Sequence, residues 1–165
     1  MQKSARPYSV PVYRVALARD GEVIMDRPQV RSSRETAALF RQHLGQDTDR
    51  EYFLVGLLDI KSRIIGINTV SMGSLSASVV SPRETFKAAI LCNAASVILA
   101  HNHPSGDSQP SREDRTLTER LVQAGEILGI KVIDHIILGD GTEAYFSFAD
   151  EGLLHQKGWA ARAAP

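Results

Sequence analysis

The sequence predicts an α/β sandwich, in which helices flank a mixed β-sheet. Short apolar runs, such as residues 52–58 and 96–100, are typical of buried strands. Between these runs, capping boxes and an amphipathic segment indicate helices. The chain has 165 residues, of which 43% are hydrophobic, which is enough for one domain with a core. Because helices and strands are interspersed, helices are available to cover both faces of the sheet.

Residues 1–44 predict an N-terminal extension made of a hairpin and a helix. Two short apolar segments within residues 13–25 flank an Asp-Gly dipeptide, which is a common hairpin turn. The capping box of Ser32 and Glu35 then opens a helix that Gly45 ends. We expect this extension to be integral to the fold rather than a free domain.

Residues 45–155 predict the main domain, and the Ala-rich residues 156–165 predict a tail. Apolar runs, caps and turn residues set the bounds of each element. The predicted elements are strands at 52–58, 63–70, 96–100, 131–138 and 143–148, helices at 81–93 and 111–128, and loops at 73–78 and 101–110.

Composition and charge limit the possible functions. The formal net charge is +0, so no overall positive field attracts nucleic acid, although a local basic patch is left open. The single cysteine, Cys92, excludes an internal disulfide framework and lies in an apolar run typical of a helix core. We find neither a signal-peptide core nor an apolar run of about 20 residues, so we expect a cytoplasmic protein without a membrane segment.

Two histidines follow the apolar run at 96–100. His101 and His103 are two residues apart, so in an extended chain their side chains point to the same side. Pro104 and Gly106 then turn the chain, which allows a second element to approach the same point. The carboxyl ends of strands in α/β sheets are common places for ligand sites.

The helix that begins near Ser111 carries a carboxylate, Asp114, in its first turn. The helix dipole favours a negative charge there, and this charge can face the two histidines. His101, His103 and Asp114 together would bind zinc and leave a fourth position for water, as in catalytic zinc sites, although such ligands also accept other divalent ions. Each residue alone is explained by a polar loop or a helix cap, but their combination favours a metal site.

This pattern resembles the JAMM motif of metallopeptidases, whose form is H-x-H, seven residues and S-x-x-D. Here His101 and His103 are followed by residues 104–110 and then by Ser111 and Asp114. The strings SPRE at 81–84, HNHPSGD at 101–107 and DHII at 134–137 are similar to the RadC family, a bacterial branch of the JAB/MPN domains. The resemblance covers about residues 45–155, and it implies the JAB/MPN sandwich, which is cytidine-deaminase-like.

The resemblance implies a zinc-dependent hydrolase that acts on a peptide, isopeptide or other amide bond. In such a mechanism Ser111 donates a hydrogen bond to the oxyanion. A glutamate before an upstream apolar strand accepts the proton of the water. Glu51 fits that placement, and the alternative is a solvated residue at a strand start. Glu35 and Glu84 fit less well, because capping boxes account for them.

Two other functions are left open. The RadC family is named for DNA repair, so the second hypothesis is an accessory role in repair or recombination without peptidase activity, with DNA as a partner through the resemblance alone. Longer RadC proteins carry an N-terminal helix-hairpin-helix segment, which the residues before 45 do not resemble. We therefore expect a short form, which weakens the inference of DNA binding. A scaffold that has lost its chemistry ranks last, because every ligand is present.

His135 lies between Asp134 and an apolar run. Alternation places its side chain on a different face from its neighbours. It is either a partner of a ligand or a core histidine whose hydrogen bonds are satisfied internally, and we favour the second interpretation.

Overall fold

The computed structural model describes residues 10–45, 48–73 and 80–154, and within them the chain forms three helices and five strands. In chain order these are α1 (Ser33–Leu44), β1 (Tyr52–Leu58), β2 (Ile64–Met72), α2 (Pro82–Leu91), β3 (Ser96–His103), α3 (Arg112–Leu128), β4 (Lys131–Gly139) and β5 (Tyr145–Ser147). The predicted tail at 156–165 and all of the predicted loop at 73–78 except Gly73 lie outside the described residues. No helix in the described ranges combines the length and apolarity needed to cross a membrane.

The strands form one mixed sheet in the order β2-β1-β3-β4-β5. β1 pairs antiparallel with both β2 and β3, β3 and β4 run parallel, and β5 returns antiparallel to β4. α3 is the crossover between β3 and β4, since parallel neighbours need a long connection. The predicted α/β class, with helices flanking a mixed sheet, is confirmed.

Alternating side chains divide β1 and β3 between two hydrophobic cores. The odd-numbered apolar residues of both strands pack with α2 and α3, and the even-numbered ones pack with α1. The strand residues of the first core are Phe53, Val55, Leu57, Val97 and Leu99, and those of the second are Leu54, Leu58, Ile98 and Ala100. The face on which a strand residue lies therefore decides which helices it meets.

α1 covers the second face of the sheet. Its N-cap is Ser32, whose hydroxyl accepts a hydrogen bond from the Glu35 N–H, as the capping box predicts. Ala37 and Phe40 are fully buried. Gly56 of β1 lets the helix approach closely, because a Cβ there would lie 3.1 Å from Phe40 Cζ. The helical part of the predicted extension thus packs directly on the sheet.

The predicted hairpin within residues 13–25 is wrong. Residues 10–25 contain no strand, and the side chains of Val12, Tyr13 and Val15 are 96%, 82% and 70% exposed. An isolated two-stranded hairpin is marginal in water unless its apolar face packs on a further layer. The exposure of these side chains shows that they lack such packing, so the turn dipeptide alone does not form the hairpin.

Gly125 of α3 is required by the tight connection between α3 and β4. A Cβ there would lie 2.5 Å from the Ile130 carbonyl oxygen and 3.2 Å from Phe86 Cζ. We expect Gly125→Ala to lower the free energy of unfolding by about 1–2 kcal/mol, because overpacking outweighs the better helix propensity of alanine. Urea unfolding measures this change. Gln123→Ala, at an exposed position of the same helix, should change stability little, and a stabilised Gly125→Ala variant would contradict the prediction.

Candidate metal centre

β3 extends through His103, so residues 101–103, predicted as the start of a loop, belong to the strand. His101 pairs with Phe53 of β1 and with Ile137 of β4. Pairing on both sides fixes the backbone, and the odd-numbered residues of β3 face α3. His101 and His103 therefore point to the same face, toward the start of α3.

α3 supplies the carboxylate. Ser111 is the N-cap, and its hydroxyl accepts from the Asp114 N–H at 3.1 Å, while the Ser111 N–H donates to Asp114 Oδ2 at 2.7 Å. This capping box holds the carboxylate toward β3. Asp114 Oδ1 lies 3.1 Å from His101 Nε2, and Asp114 Oδ2 lies 3.5 Å from His103 Nε2. The structure thus brings together the three ligand residues predicted from the sequence.

These three side chains fit a metal ion. Each offers one ligand atom, and the three atoms all lie within 4.8 Å of one another. The Nε2 atoms of His101 and His103 are 3.0 Å apart. At that distance two imidazole lone pairs repel unless a proton or a cation lies between them. Two nitrogens and one carboxylate oxygen form a donor set that suits a divalent transition metal.

Hydrogen bonds on the far side of each imidazole direct Nε2 to the centre. His103 Nδ1 donates to the backbone carbonyl oxygen of Asp107 at 2.7 Å. His101 Nδ1 lies 2.9 Å from His135 Nε2. Since Nδ1 is engaged in both rings, Nε2 is the atom that each ring offers to a metal.

The carboxylate and the histidines shift each other's pKa. Burial alone would raise the pKa of the Asp114 carboxyl, but hydrogen bonds from His101, His103 and Ser111 hold it well below its usual range. The hydrogen bond with Asp114 raises the pKa of His103 against the opposing effect of desolvation, and the charge of Glu51 adds to the rise. The carboxylate therefore stays ionised and offers a negative charge to a cation held beside the two rings.

Asn102 lies between the two histidines and points to the opposite face. Its Oδ1 accepts from the Tyr52 N–H at 2.7 Å, and its Nδ2 donates to the Arg50 carbonyl at 3.0 Å and to Asp140 Oδ2 at 2.6 Å. These bonds tie the start of β1 and the turn after β4 to β3. Asn102 is not among the residues predicted from the sequence, although the alternation that pairs the histidines also places it on the other face.

Ser111, a predicted catalytic residue, borders the candidate metal centre. It is exposed, and its hydroxyl donates to Asp114 Oδ2 at 2.6 Å. Its backbone N–H donates to the same oxygen. The side chain therefore caps α3 and stands beside the ligand carboxylate at the same time.

Glu51, the other predicted catalytic residue, directly precedes β1 and is partly buried. The register pairs Phe53 with His101, so continuing it by two residues puts Glu51 opposite His103 on the same face. The charge of Glu51 raises the pKa of His103, which agrees with this proximity.

His135 is packed directly behind His101. Its ring is fully buried, stacks on Phe148 with centroids 5.1 Å apart, and meets Phe53 edge-on. Burial, together with the nearby His101 charge, lowers the pKa of His135 well below its ordinary value. His135 is thus a neutral core histidine and also a hydrogen-bond partner of a candidate ligand, so the two interpretations left open by the sequence are compatible.

The model of the RadC-like JAB domain matches residues 30–153, and the chain belongs to this family. The match begins ahead of α1, which the sequence predicts as part of the N-terminal extension. The UPF0758 protein of Rubrobacter xylanophilus is 50% identical over 128 residues, which are 78% of this chain and 55% of that protein. The UPF0758 protein of Methanosarcina acetivorans is 46% identical over 140 residues, which are 84% of this chain and 60% of that protein. The chain therefore spans just over half the length of these relatives, whose names state no activity.

Asp114→Asn should lower the pKa of His103 in the metal-free protein, because the carboxylate that raises it is removed while the burial that lowers it stays. An NMR titration of the His103 ring protons measures this pKa. Asp107→Asn is the matched control, since His103 bonds the backbone carbonyl of Asp107 rather than its carboxylate. Equal decreases in the two variants would contradict the prediction.

The same coupling makes the stability of the metal-free protein depend on pH. The pKa of His103 is raised above 6.5 in the fold, so its pairing with Asp114 stabilises fully below that pH and less as the pH rises through the folded pKa. The lowered pKa of Asp114 gives stability that is lost as the pH falls below 3.8. In urea unfolding, Asp114→Asn should reduce the loss of stability seen when the pH rises above 6.5.

Proposed function

We propose that this RadC-like JAB domain is a zinc-dependent hydrolase of the JAMM type that cleaves a peptide, isopeptide or related amide bond. The observation that supports this most is the convergence of ligand atoms from His101, His103 and Asp114 within 4.8 Å. Three protein ligands are typical of catalytic zinc sites, whereas structural sites are closed by four. Zinc held there would supply a Lewis acid that polarises the scissile carbonyl and lowers the pKa of water.

Glu51 is the proposed general base. Continuing the β1–β3 register would put Glu51 opposite His103, and the charge of Glu51 raises the pKa of His103. Both observations support a carboxylate near the ligand nitrogens. The Glu51 carboxylate takes a proton from water while the water oxygen bonds to the carbonyl carbon. It then passes that proton to the amide nitrogen as the C–N bond breaks.

Ser111 is the proposed donor to the oxyanion. Its hydroxyl donates to Asp114 Oδ2, but the Ser111 N–H donates to the same oxygen at 2.7 Å. The hydroxyl can therefore turn toward a substrate oxygen without leaving Oδ2 unsatisfied. The exposure of Ser111 allows a substrate to reach it.

Glu51→Gln should keep zinc at about one ion per chain and reduce hydrolysis by at least about 100-fold, because glutamine cannot accept the proton. Zinc is measured by elemental mass spectrometry. Hydrolysis is measured on a peptide library that includes lysine-linked isopeptides. Glu84→Gln is the matched control, since Glu84 lies in the first turn of α2 and pairs with Lys87.

Full activity of Glu51→Gln would remove Glu51 from the mechanism. Absence of zinc from the purified wild-type protein after incubation with excess zinc would contradict the metal centre itself. Zinc binding without hydrolysis, together with duplex DNA binding that weakens with salt, would instead favour the accessory role in DNA repair.

Ser111→Ala should lower kcat by about 100-fold through loss of an oxyanion donor. It should also lower stability by about 1 kcal/mol through loss of the helix cap. Ser32→Ala separates the two effects, because Ser32 caps α1 in the same way but lies outside the metal centre. We expect similar destabilisation in both variants, measured by urea unfolding, and a kinetic defect in Ser111→Ala only. A similar kcat in the two variants would contradict the proposed role.

A further inference from the structure

Behind His101, a chain of hydrogen bonds leads from the metal centre through the core and back to α3. His101 Nδ1 lies 2.9 Å from His135 Nε2, and His135 Nδ1 lies 2.6 Å from Thr118 Oγ1. Thr118 Oγ1 lies 2.6 Å from the backbone carbonyl oxygen of Asp114. His101 and His135 are 0% exposed and Thr118 is 2% exposed, so bulk water cannot substitute for a link. We call His101, His135 and Thr118 the buried chain.

The contact between Thr118 and the Asp114 carbonyl oxygen, at the far end of the buried chain, sets the direction of every hydrogen bond in it. A carbonyl oxygen can only accept, so the Thr118 hydroxyl donates its single proton to Asp114. The hydroxyl oxygen then accepts, and the proton between Thr118 and His135 belongs to His135 Nδ1. A neutral imidazole carries one N–H, so His135 Nε2 is an acceptor.

The same assignment of protons fixes the hydrogen bond between His135 and His101. Because His135 Nε2 accepts, the proton between the two rings belongs to His101 Nδ1. When His101 is neutral, its proton-free nitrogen is then Nε2, the atom that lies 3.1 Å from Asp114 Oδ1 and that the proposed metal would take.

We infer that Thr118 and His135 are positioning residues that hold His101 in its Nδ1–H tautomer, which leaves Nε2 free to bind the metal. The inference rests on the proposed metal centre but not on hydrolysis. The usual partner of a ligating histidine is a carboxylate, a backbone carbonyl or water. Here a second imidazole takes that place, and because an imidazole can donate from either nitrogen, it needs Thr118 to set its own tautomer.

Thr118→Val tests the inference, because valine has nearly the shape of threonine but lacks the hydroxyl. Without that acceptor, the buried chain can reverse, so that His135 Nε2 donates to His101 and the proton of His101 moves to Nε2. We expect zinc affinity, measured by competition with a chromophoric chelator, to fall by about 10- to 100-fold. Thr118→Ser, which restores the hydroxyl, should bind zinc within a few-fold of the wild type.

Long-range ¹H–¹⁵N NMR of the metal-free protein reads the tautomer directly. We expect the proton of neutral His101 on Nδ1 in the wild type and in Thr118→Ser, and on Nε2 in Thr118→Val. Thr116→Val is the matched control, since Thr116 also donates to a carbonyl one turn back on α3, that of Arg112, but does so on the exposed side of the helix. It should change neither the affinity nor the tautomer.

Three results would overturn the inference: wild-type affinity in Thr118→Val, an equal loss in Thr118→Ser, or a wild-type His101 with its proton on Nε2. The last result needs no variant, so it decides the matter even if Thr118→Val fails to fold. The melting temperature of each metal-free variant shows whether a loss of zinc affinity is accompanied by a general loss of stability, as a packing defect would produce. A wild-type protein that binds zinc but hydrolyses nothing would contradict the proposed function and leave this inference intact.

Discussion

The alternation of side chains along β3 is the constraint on which the candidate metal centre depends. β3 pairs with β1 as far as His101 and with β4 as far as His103, so residues 101–103 cannot rotate independently. His101 and His103 must therefore share the face covered by α3, and Asn102 must lie on the other face. A register slip of one residue would put Asn102 on the face covered by α3 and the two histidines on the other face.

Close approach of two backbone segments completes the centre. Gly106 has a φ of 82°, and a Cβ on Gly139 would lie 2.2 Å from the Gly106 carbonyl oxygen. A side chain at position 139 would therefore push away the loop that follows β3. That loop carries the Asp107 carbonyl to His103 Nδ1 and leads the chain into the capping box that presents Asp114. The loop after β3 thus orients His103 and also positions Asp114 at the start of α3.

Local signals were sufficient to predict that His101, His103 and Asp114 come together, but not which residues hold them in place. His101, His103 and the first-turn Asp114 follow from spacing, a turn and a cap, all of which lie within a few residues. The orientation of His135 depends on a bulge: Val97 pairs with Val132 but Ile98 pairs with Asp134. The bulge changes the parity of β4, so simple alternation fails there. The hairpin failed for the opposite reason, since its local pattern was present but no packing supported it.

A neutral partner for His101 has an electrostatic consequence that a carboxylate partner would not have. A carboxylate in the place of His135 would add a buried negative charge close to Asp114, which is costly unless it is paired. His135 orients His101 through a hydrogen bond and adds no charge. The ligands then carry one negative charge, that of Asp114, so a divalent ion bound there would keep a net positive charge. That charge would favour the ionisation of water and the polarisation of a carbonyl, so the buried chain suits hydrolysis as well as metal binding.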